Sequence, residues 1–394
     1  MARDRIQAAV DTLAEHLHRS VVINDAAVHL QYASAHYGDE DAVRIRAVLQ
    51  READSKVIGH VLAQGVSTWT TAGVIPPNEA LQMKARVCVP IRWRSDLVGL
   101  LIVMDADGSL TTGELATITG VARDLAPLLA AQAVEDPPVE HGLIVDLVGR
   151  EPLLRRRALA ELAGIAGFAS VRAVELSAQG AADATVAANI DTALRSALGG
   201  VRPPAGSGGL LHAVTDRVAI ALVGSAAPLA DGVVRTYVER VLHRVHDLSA
   251  GRFTCSAGIG DGVDGLEHAH RSAGQAALAG RAAATVLDRP VATWAELGPY
   301  GLLLRVPDLD ASALPAELHR LLSVDPERQL VRTLRVYLDH GCNGPAASAA
   351  LHIHRTTLYY RLGRIRELTG LDLDDGRTRL TLHLGLTALD LLPP

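Results

Sequence analysis

The segment Gly344–Arg366, GPAASAALHIHRTTLYYRLGRIR, carries the strongest structural signal in the chain. Pro345 suits the first turn of a helix, where its missing N–H costs nothing, and the alanines after it continue that helix. A brief turn at His352–Ile353 follows, and a second helix is expected to begin near His354 or Arg355. This pattern is typical of two helices joined by a short turn, with the second helix presented to a DNA major groove.

The second of these helices divides into an apolar and a polar face. At 100° per residue, the apolar side that must face a core consists of Leu358, Leu362, Ile365 and Leu368. The opposite side consists of Thr356, Tyr360, Arg364 and Glu367. Four arginines and no acid lie between Arg355 and Arg366, and Gly363 leaves room for a phosphate or sugar to approach.

Guanidinium and hydroxyl groups at the start of such a helix suit phosphate anchoring and the reading of base edges. The candidate DNA-binding residues are therefore His354, Arg355, Thr356, Thr357, Tyr360, Arg361 and Arg364. Two alternatives remain open at this point. The helix could be a solvated, arginine-rich member of a bundle that touches no DNA, and His354 could be a packing or capping residue.

Upstream, the apolar set Leu330, Leu334, Val336 and Leu338 predicts another helix that stops at Gly341. Together with the segment above, it resembles the C-terminal helix-turn-helix of the PucR/CdaR family of purine-catabolism and sugar-diacid regulators. The family core reads L-x-[VI]-H-R-N-T-L-x-Y-R-L-x-R-I, which this chain matches at His354, Arg355, Thr357, Leu358, Tyr360, Arg361, Leu362, Arg364 and Ile365. Thr356 stands where the family usually has Asn, which weakens the transfer of a base contact there. The resemblance implies a cytoplasmic bacterial transcription regulator, usually dimeric or larger, whose upstream domains sense a metabolite.

The whole chain has the composition of a globular protein with two or three domains. It has 394 residues, of which 48% are hydrophobic and 21% charged, and its formal net charge is -6. This balance excludes general disorder, and no apolar run is long enough for a membrane span or a secretion signal. Three separated cysteines suggest neither a disulfide framework nor a zinc site. The chain can be divided into a first block at 1–134, a middle block at 135–325 and a last block at 326–394. Only the last block is basic, with 9 basic and 7 acidic residues.

The first block predicts a helix, two short strands, a hairpin and a closing helix. The hairpin joins RVCVPIRW, from Arg86, to LVGLLIVMD, from Leu97, and Thr111 with Glu114 forms a capping box for the helix that follows. The segment VEDPPVE, from Val134, predicts a linker. This order of elements resembles a GAF-type sensory domain, which implies a pocket for a small effector on one sheet face. The alternative is a domain that only dimerises through its terminal helices.

The middle block alternates strands and helices, and a loop is expected at Pro203–Gly209. Its segment SAGIGDGVDGLEHAHRSAGQAALAGRAAA, together with RPVATWAELGPYGLL, resembles a GGDEF-like domain of bacterial regulators. A working cyclase would need paired acids at a hairpin to hold Mg²⁺. Around HAVTDRVAIALVG only Asp216 remains, so the domain is expected to be degenerate.

Other catalytic and metal motifs are absent from the sequence. The sixteen histidines show no HExxH pattern, and His268 and His270 would lie about 200° apart on a helix. His243 and His246 could share a face but have no third ligand nearby in the sequence. There is neither a GxSxG elbow nor a phosphate-binding GxxxxGK[ST] loop. We therefore predict no catalytic residues, no metal and no cofactor.

The sequence as a whole predicts a multidomain α+β protein with three domains. They are a GAF-like α/β sensor domain at 1–134, a degenerate GGDEF-like α/β domain at 142–305, and an all-α helix-turn-helix domain at 326–394. The predicted function is sequence-specific, effector-coupled transcription regulation in the cytoplasm by a homodimer or higher oligomer. The predicted partners are double-stranded operator DNA and a small-molecule effector at the GAF-like domain. The alternatives are a nucleotide-handling enzyme, such as a cyclase or phosphodiesterase, and an interaction protein that does not bind DNA.

Overall fold

The computed structural model describes residues 2–50, 54–135, 139–164, 167–180, 184–306 and 309–392. Its contacts divide the chain into two compact units. One unit comprises Met1–Arg281 with Arg289–Trp294, and the other comprises Ala282–Asp288 with Ala295–Pro394. The first unit contains two β-sheets, and the second is helical. The expected mixture of α/β regions with a C-terminal all-α region is therefore confirmed at this level.

The first sheet is antiparallel, with strand order β2-β1-β5-β4-β3. The elements of this part of the chain are α1 (Ala2–Leu17), β1 (Val21–Asn24), β2 (Leu30–Ala33), α2 (Ala42–Gln50), α3 (Ser55–Ala63), β3 (Gly73–Ile75), β4 (Arg86–Trp93), β5 (Asp96–Met104) and α4 (Thr112–Glu135). Helices α1 and α4 cover one face of the sheet, and α2 and α3 lie on the side of the other face.

Local sequence explains the hairpin and the closing helix of this sheet. Strands β4 and β5 pair from Arg86↔Met104 to Trp93↔Asp96, and the turn between them uses Arg94 at φ +59°. At the start of α4, the Thr111 N–H donates to Glu114 Oε2 over 2.7 Å, and the Glu114 N–H donates back to Thr111 Oγ1 over 3.3 Å. The predicted hairpin and capping box are both confirmed. Of the predicted linker at 134–140, residues 136–138 lie outside the described residues, whereas 134–135 belong to α4 and 139–140 to α5, so helix extends into the predicted linker from both sides.

The second sheet has the strand order β11-β9-β6-β8-β7, with β10 paired to β6. The β11–β9 pair is parallel and the other pairs are antiparallel. The elements are α5 (Val139–Val148), α6 (Pro152–Leu162), β6 (Ser170–Gln179), α7 (Ala184–Gly200), β7 (Ser207–Thr215), β8 (Val218–Ser225), α8 (Asp231–Ser249), β9 (Thr254–Ile259), β10 (Val263–Asp264), α9 (Ala269–Thr285) and β11 (Val291–Thr293).

Strand β7 begins inside the expected Pro203–Gly209 loop, so that loop is shorter than predicted. Ser207, Gly208 and Gly209 have low strand propensity, but the tight turn at Asp216–Arg217 brings β7 alongside β8, and pairing extends the strand to Ser207. Both turn residues have positive φ, 48° and 69°, as a two-residue hairpin turn requires.

The two sheets of the first unit share one hydrophobic core. Helix α3 contributes Ile58 and Leu62 to a cluster that continues through Ile190 of α7 and Val241 of α8. Gly59 permits this packing, because a Cβ at that position would lie 2.4 Å from the Asp247 carbonyl oxygen of α8. The two sheets are therefore packed as one body around α3, α7 and α8.

The second unit is a helical cluster with its own core. Beyond the final turns of α9, its helices are α10 (Tyr300–Leu303), α11 (Ala316–Val324), α12 (Gln329–Asp339), α13 (Gly344–Leu351), α14 (Arg355–Thr369) and α15 (Gly376–Leu389). Asp325, 6% exposed, caps α12 by accepting the N–H groups of Gln329 and Val331, each over 2.9 Å. The three helices α12, α13 and α14 are those expected from the sequence.

Candidate nucleic-acid interface

Helix α13 is short and has well-defined ends. Asn343 caps its start by accepting the Ala346 N–H over 3.0 Å, and Pro345 occupies the first turn as predicted. His352 ends it in the left-handed conformation at φ +53°, and the Ile353 N–H donates to the Ser348 carbonyl over 3.1 Å. The chain thereby reverses within two residues and starts the next helix.

His354 is the N-cap of helix α14. Its Nδ1 accepts the Thr356 N–H over 3.4 Å and lies 2.8 Å from the Thr356 hydroxyl oxygen. Of the two roles left open by the sequence, capping is the one seen in the structure. A DNA contact by His354 stays a prediction, and Thr356 is held beside it at the first turn.

The two faces of α14 are those expected from the angular pattern. Leu358 and Ile365 are fully buried, Leu362 is 5% exposed, and Leu368 is half-buried. On the other side, Tyr360 is 75% exposed, and Thr356, Arg364 and Glu367 are exposed as well. The helix therefore anchors one side in the core of its unit and presents a polar side to solvent.

The four arginines of this helix are in different surroundings. Arg355 and Arg364 are exposed, and Arg364 pairs with Glu367 over 2.9 Å on the surface. Arg361 is half-buried and donates to Oγ1 of the fully buried Thr333 over 3.2 Å. Arg366 pairs with Asp374 over 2.8 Å, and the same Asp374 also pairs with Arg379.

The arginines of α14 differ in how available their guanidinium groups are to DNA. Exposed ion pairs are weak and exchange readily for a phosphate or a base edge, and this applies to the Arg364–Glu367 and Arg366–Asp374 pairs alike. Among the predicted site arginines, Arg355 and Arg364 are therefore more available to DNA than Arg361, which is bound to a buried hydroxyl. Arg361 and Arg366 also connect α14 to neighbouring segments of its own unit. Of the predicted site residues, Thr357 is half-buried behind the exposed face.

Tyr359, the neighbour of Tyr360 on α14, has a packing role in the structure. Tyr359 is 58% exposed, yet its hydroxyl lies against the start of α13. A Cβ on Gly344 would be only 2.6 Å from the Tyr359 Oη atom. The sequence contains both Gly344 and Tyr359, on either side of the turn, but only the tertiary structure shows that the two residues are in contact.

The described residues offer neither a metal-binding cluster nor a membrane-spanning helix. Within the residues that the structure describes, no three His, Cys, Asp or Glu side chains are grouped as a metal site would need. In the same part of the chain, no helix is both long and apolar enough to cross a bilayer.

Comparison with known proteins links this region to one family of domains. Residues 330–388 match the PucR C-terminal helix-turn-helix domain. The carbohydrate diacid regulator of Escherichia coli (strain K12) is 47% identical over 79 residues, which is 20% of each chain. The proline-responsive transcriptional activator PutR of Bacillus subtilis (strain 168) is 45% identical over 58 residues, 15% of this chain and 14% of that protein. The purine catabolism regulatory protein of the same bacterium is 38% identical over 60 residues, 15% and 11% of the two chains.

The matches to these three regulators span a fifth or less of their lengths. Among solved structures, a regulator of polyketide synthase expression from Bifidobacterium adolescentis is similar at 19% identity with a TM-score of 0.29. That alignment covers 64% of this chain and 96% of the other. A similarity at this level supports no argument about fold or function.

Proposed function

We propose that this chain, whose residues 330–388 match the PucR C-terminal helix-turn-helix domain, is a sequence-specific DNA-binding transcription regulator. Helix α14 is the recognition helix of this proposal, and α13 is the helix that precedes it across the turn. Such a protein works where the chromosome is, in the cytoplasm of a bacterium.

The observation that carries the proposal is the exposed polar face of α14. Thr356, Tyr360 and Arg364 are turned away from the core of their unit, with Arg355 exposed at the first turn. An arginine fork on such a face can bind a guanine edge, and hydroxyl groups at the helix start can bind phosphates. His354, Thr357 and Arg361 complete the proposed set, with His354 acting through its cap and Arg361 from the flank.

The remaining domains are assigned in the same proposal. Residues 1–134 form a GAF-like sensor, 142–305 a degenerate GGDEF-like domain that transmits or dimerises, and 326–394 the DNA-binding domain. A homodimer would place two recognition helices on a two-fold operator. An effector or a change of oligomeric state would then alter the spacing of those helices and the operator affinity.

No catalytic activity is included in the proposal. The β7–β8 turn, where a cyclase would need paired acids, holds Asp216 followed by Arg217, and one carboxylate cannot organise two metal ions. Incubation of the purified chain with GTP and Mg²⁺ tests the alternative directly, because nucleotide turnover would revive it.

The proposal is tested by selecting bound fragments from random DNA and titrating the enriched fragment in a gel shift at fixed salt. Arg364→Ala is expected to weaken binding by about 1 to 3 kcal/mol, or roughly fivefold to 160-fold, with the fold intact. The matched control is Arg320→Ala, an exposed arginine on α11 of the same unit, which should bind as the unmodified chain does. No enrichment of any fragment, or an unchanged titration for Arg364→Ala, would favour an interaction module instead.

A further inference from the structure

A cavity lies between the first sheet and helices α2 and α3, on the sheet face opposite α1 and α4. Its volume is about 50 Å³, which exceeds the roughly 10 to 15 Å³ that a single water needs. Most of its wall is aliphatic and is supplied by Val22 of β1, Val43 of α2, Val57 and Ile58 of α3, and Ile102 of β5. The space therefore suits a small molecule with an apolar body.

Two polar side chains that line this cavity are incompletely satisfied. Arg44 is 4% exposed and Asn24 is 8% exposed, so both are more than nine-tenths buried. Arg44 donates to the Val21 carbonyl over 3.4 Å and to the Ser34 carbonyl over 3.1 Å, but its Nε has no hydrogen-bond partner among the described residues. Asn24 donates through Nδ2 to the Val28 carbonyl over 3.1 Å, and its Oδ1 likewise has no partner there.

The charges around the cavity distinguish Arg44 from its neighbour Arg86. Arg86 is 7% exposed and pairs with Asp41 over 2.5 Å, so its charge is compensated. Burial lowers the pKa of the Arg44 guanidinium, although Asp39 and Glu40 oppose that effect. These two carboxylates do not line the cavity. Glu40 accepts the Tyr37 N–H and the Ser20 hydroxyl, and Asp39 accepts the Ser20 N–H through Oδ2.

Among the described residues, no carboxylate pairs with Arg44, and a buried guanidinium with an unused N–H is costly unless a partner arrives. We propose that this cavity binds a small monocarboxylate with an apolar body, held by Arg44 through its carboxylate group. The aliphatic side chains enclose the body of the ligand, and Asn24 Oδ1 is available to a donor group on it. The role of such an acid as an effector rests on the proposed function, whereas its binding does not.

The position of α3 gives a bound acid a route to the second sheet. Val57, Ile58 and Val61 of α3 line the cavity, while Gly59 of the same helix packs on the Asp247 carbonyl of α8. A ligand that moves α3 therefore acts on the helix that joins the two sheets.

The test uses the full-length chain and thermal denaturation with acetate and propionate, acids small enough for a cavity of about 50 Å³, each compared with its primary amide. At about ten times their Kd, the acids are expected to raise the melting temperature by about 3 °C, and the uncharged amides at the same concentration by much less. Arg44→Met should abolish the response to the acids, and the matched control Arg46→Met, an exposed arginine on the same helix, should retain it. Because Arg44 also supports the backbone, Ala47→Leu provides a second variant that fills the cavity and should abolish the response without removing a charge.

Absence of an acid-specific shift in the unmodified chain, or its survival in both Arg44→Met and Ala47→Leu, would overturn the proposal. The readout is independent of DNA. A chain that responds to the acids but enriches no DNA fragment contradicts the proposed function alone, and the reverse result contradicts only the cavity assignment.

Discussion

At the residue scale, the arginines of α14 show why a sequence pattern can nominate a DNA-binding surface without ranking its members. All four occur in one basic run, and helical periodicity places Arg364 on the exposed side and Arg361 on its flank. The pattern does not contain Thr333 or Asp374, which lie on other segments and engage Arg361 and Arg366. Such contacts depend on how the helices pack and were therefore beyond prediction from the sequence.

Arg361→Ala is expected to differ from Arg364→Ala in its effect on stability. It removes the bond to the buried Thr333 hydroxyl and should lower the free energy of unfolding by about 1 kcal/mol in addition to weakening DNA binding. Urea denaturation and the gel shift, run on both variants, separate the two effects. An unchanged urea midpoint for Arg361→Ala would show that this bond contributes nothing to stability.

Glu175, in the second sheet, is expected to make the stability of the protein depend on pH. It lies within β6 between Ile220 of β8 and Gly258 of β9, and burial raises the pKa of its carboxyl from 4.5 to about 7. Because the folded pKa lies above the unfolded one, folding favours the neutral acid. The stability associated with this group is complete below about pH 4.5 and is lost as the pH rises towards 7.

Glu175→Gln keeps the size of the side chain and removes its charge. The free energy of unfolding of this variant, measured in urea, should equal that of the unmodified chain at pH 4. At pH 8 it should be higher by about 2 to 3 kcal/mol. Glu239→Gln, at an exposed position on α8, is the control and should show no such difference. An equal effect of Glu175→Gln at both pH values would contradict the burial argument.

At the scale of elements, the sequence predicted the features that depend only on residues close together along the chain. The β4–β5 hairpin, the capping box of α4 and the helix-turn-helix follow from turn residues, caps and periodicity within a few positions. Strand β7 was only partly foreseen, because its Ser207–Gly209 start becomes a strand through pairing with β8. The domain boundaries and the DNA-contacting residues stay predictions. The cavity between the sheet and α2 and α3 was anticipated only as a general expectation of a GAF-like fold, without its arginine.

Substitution of Gly363 tests whether the exposed face of α14 contacts DNA. A Cβ there would contact nothing within 4 Å, so Gly363→Ala should stabilise the helix by about 0.5 to 1 kcal/mol. If a phosphate or sugar approaches this position, the same methyl group should weaken DNA binding. The expected result is a higher melting temperature with a lower affinity in the gel shift. Unchanged affinity would place Gly363 outside the interface.

At the scale of the whole molecule, the first unit unites two sheets through α3 and α8. Gly59→Ala should push its methyl group into the Asp247 carbonyl and destabilise the unit by about 1 to 3 kcal/mol. Because the core is shared, amide hydrogen exchange should accelerate in both sheets. Gly120→Ala on α4, where a Cβ would meet nothing within 4 Å, is the control and should be neutral or stabilising. Faster exchange confined to the first sheet would contradict the shared core.

The close approach of Gly59 to α8 also bears on how such a chain can be rearranged in evolution. Recombination that replaced the first 134 residues with a foreign sensor would leave α8 without the neighbour that fits it. A successful exchange must bring its own small residue at that crossing or transfer both sheets together. We therefore expect the two sheets to be inherited together, and gene fusions to be tolerated at a junction after the second sheet.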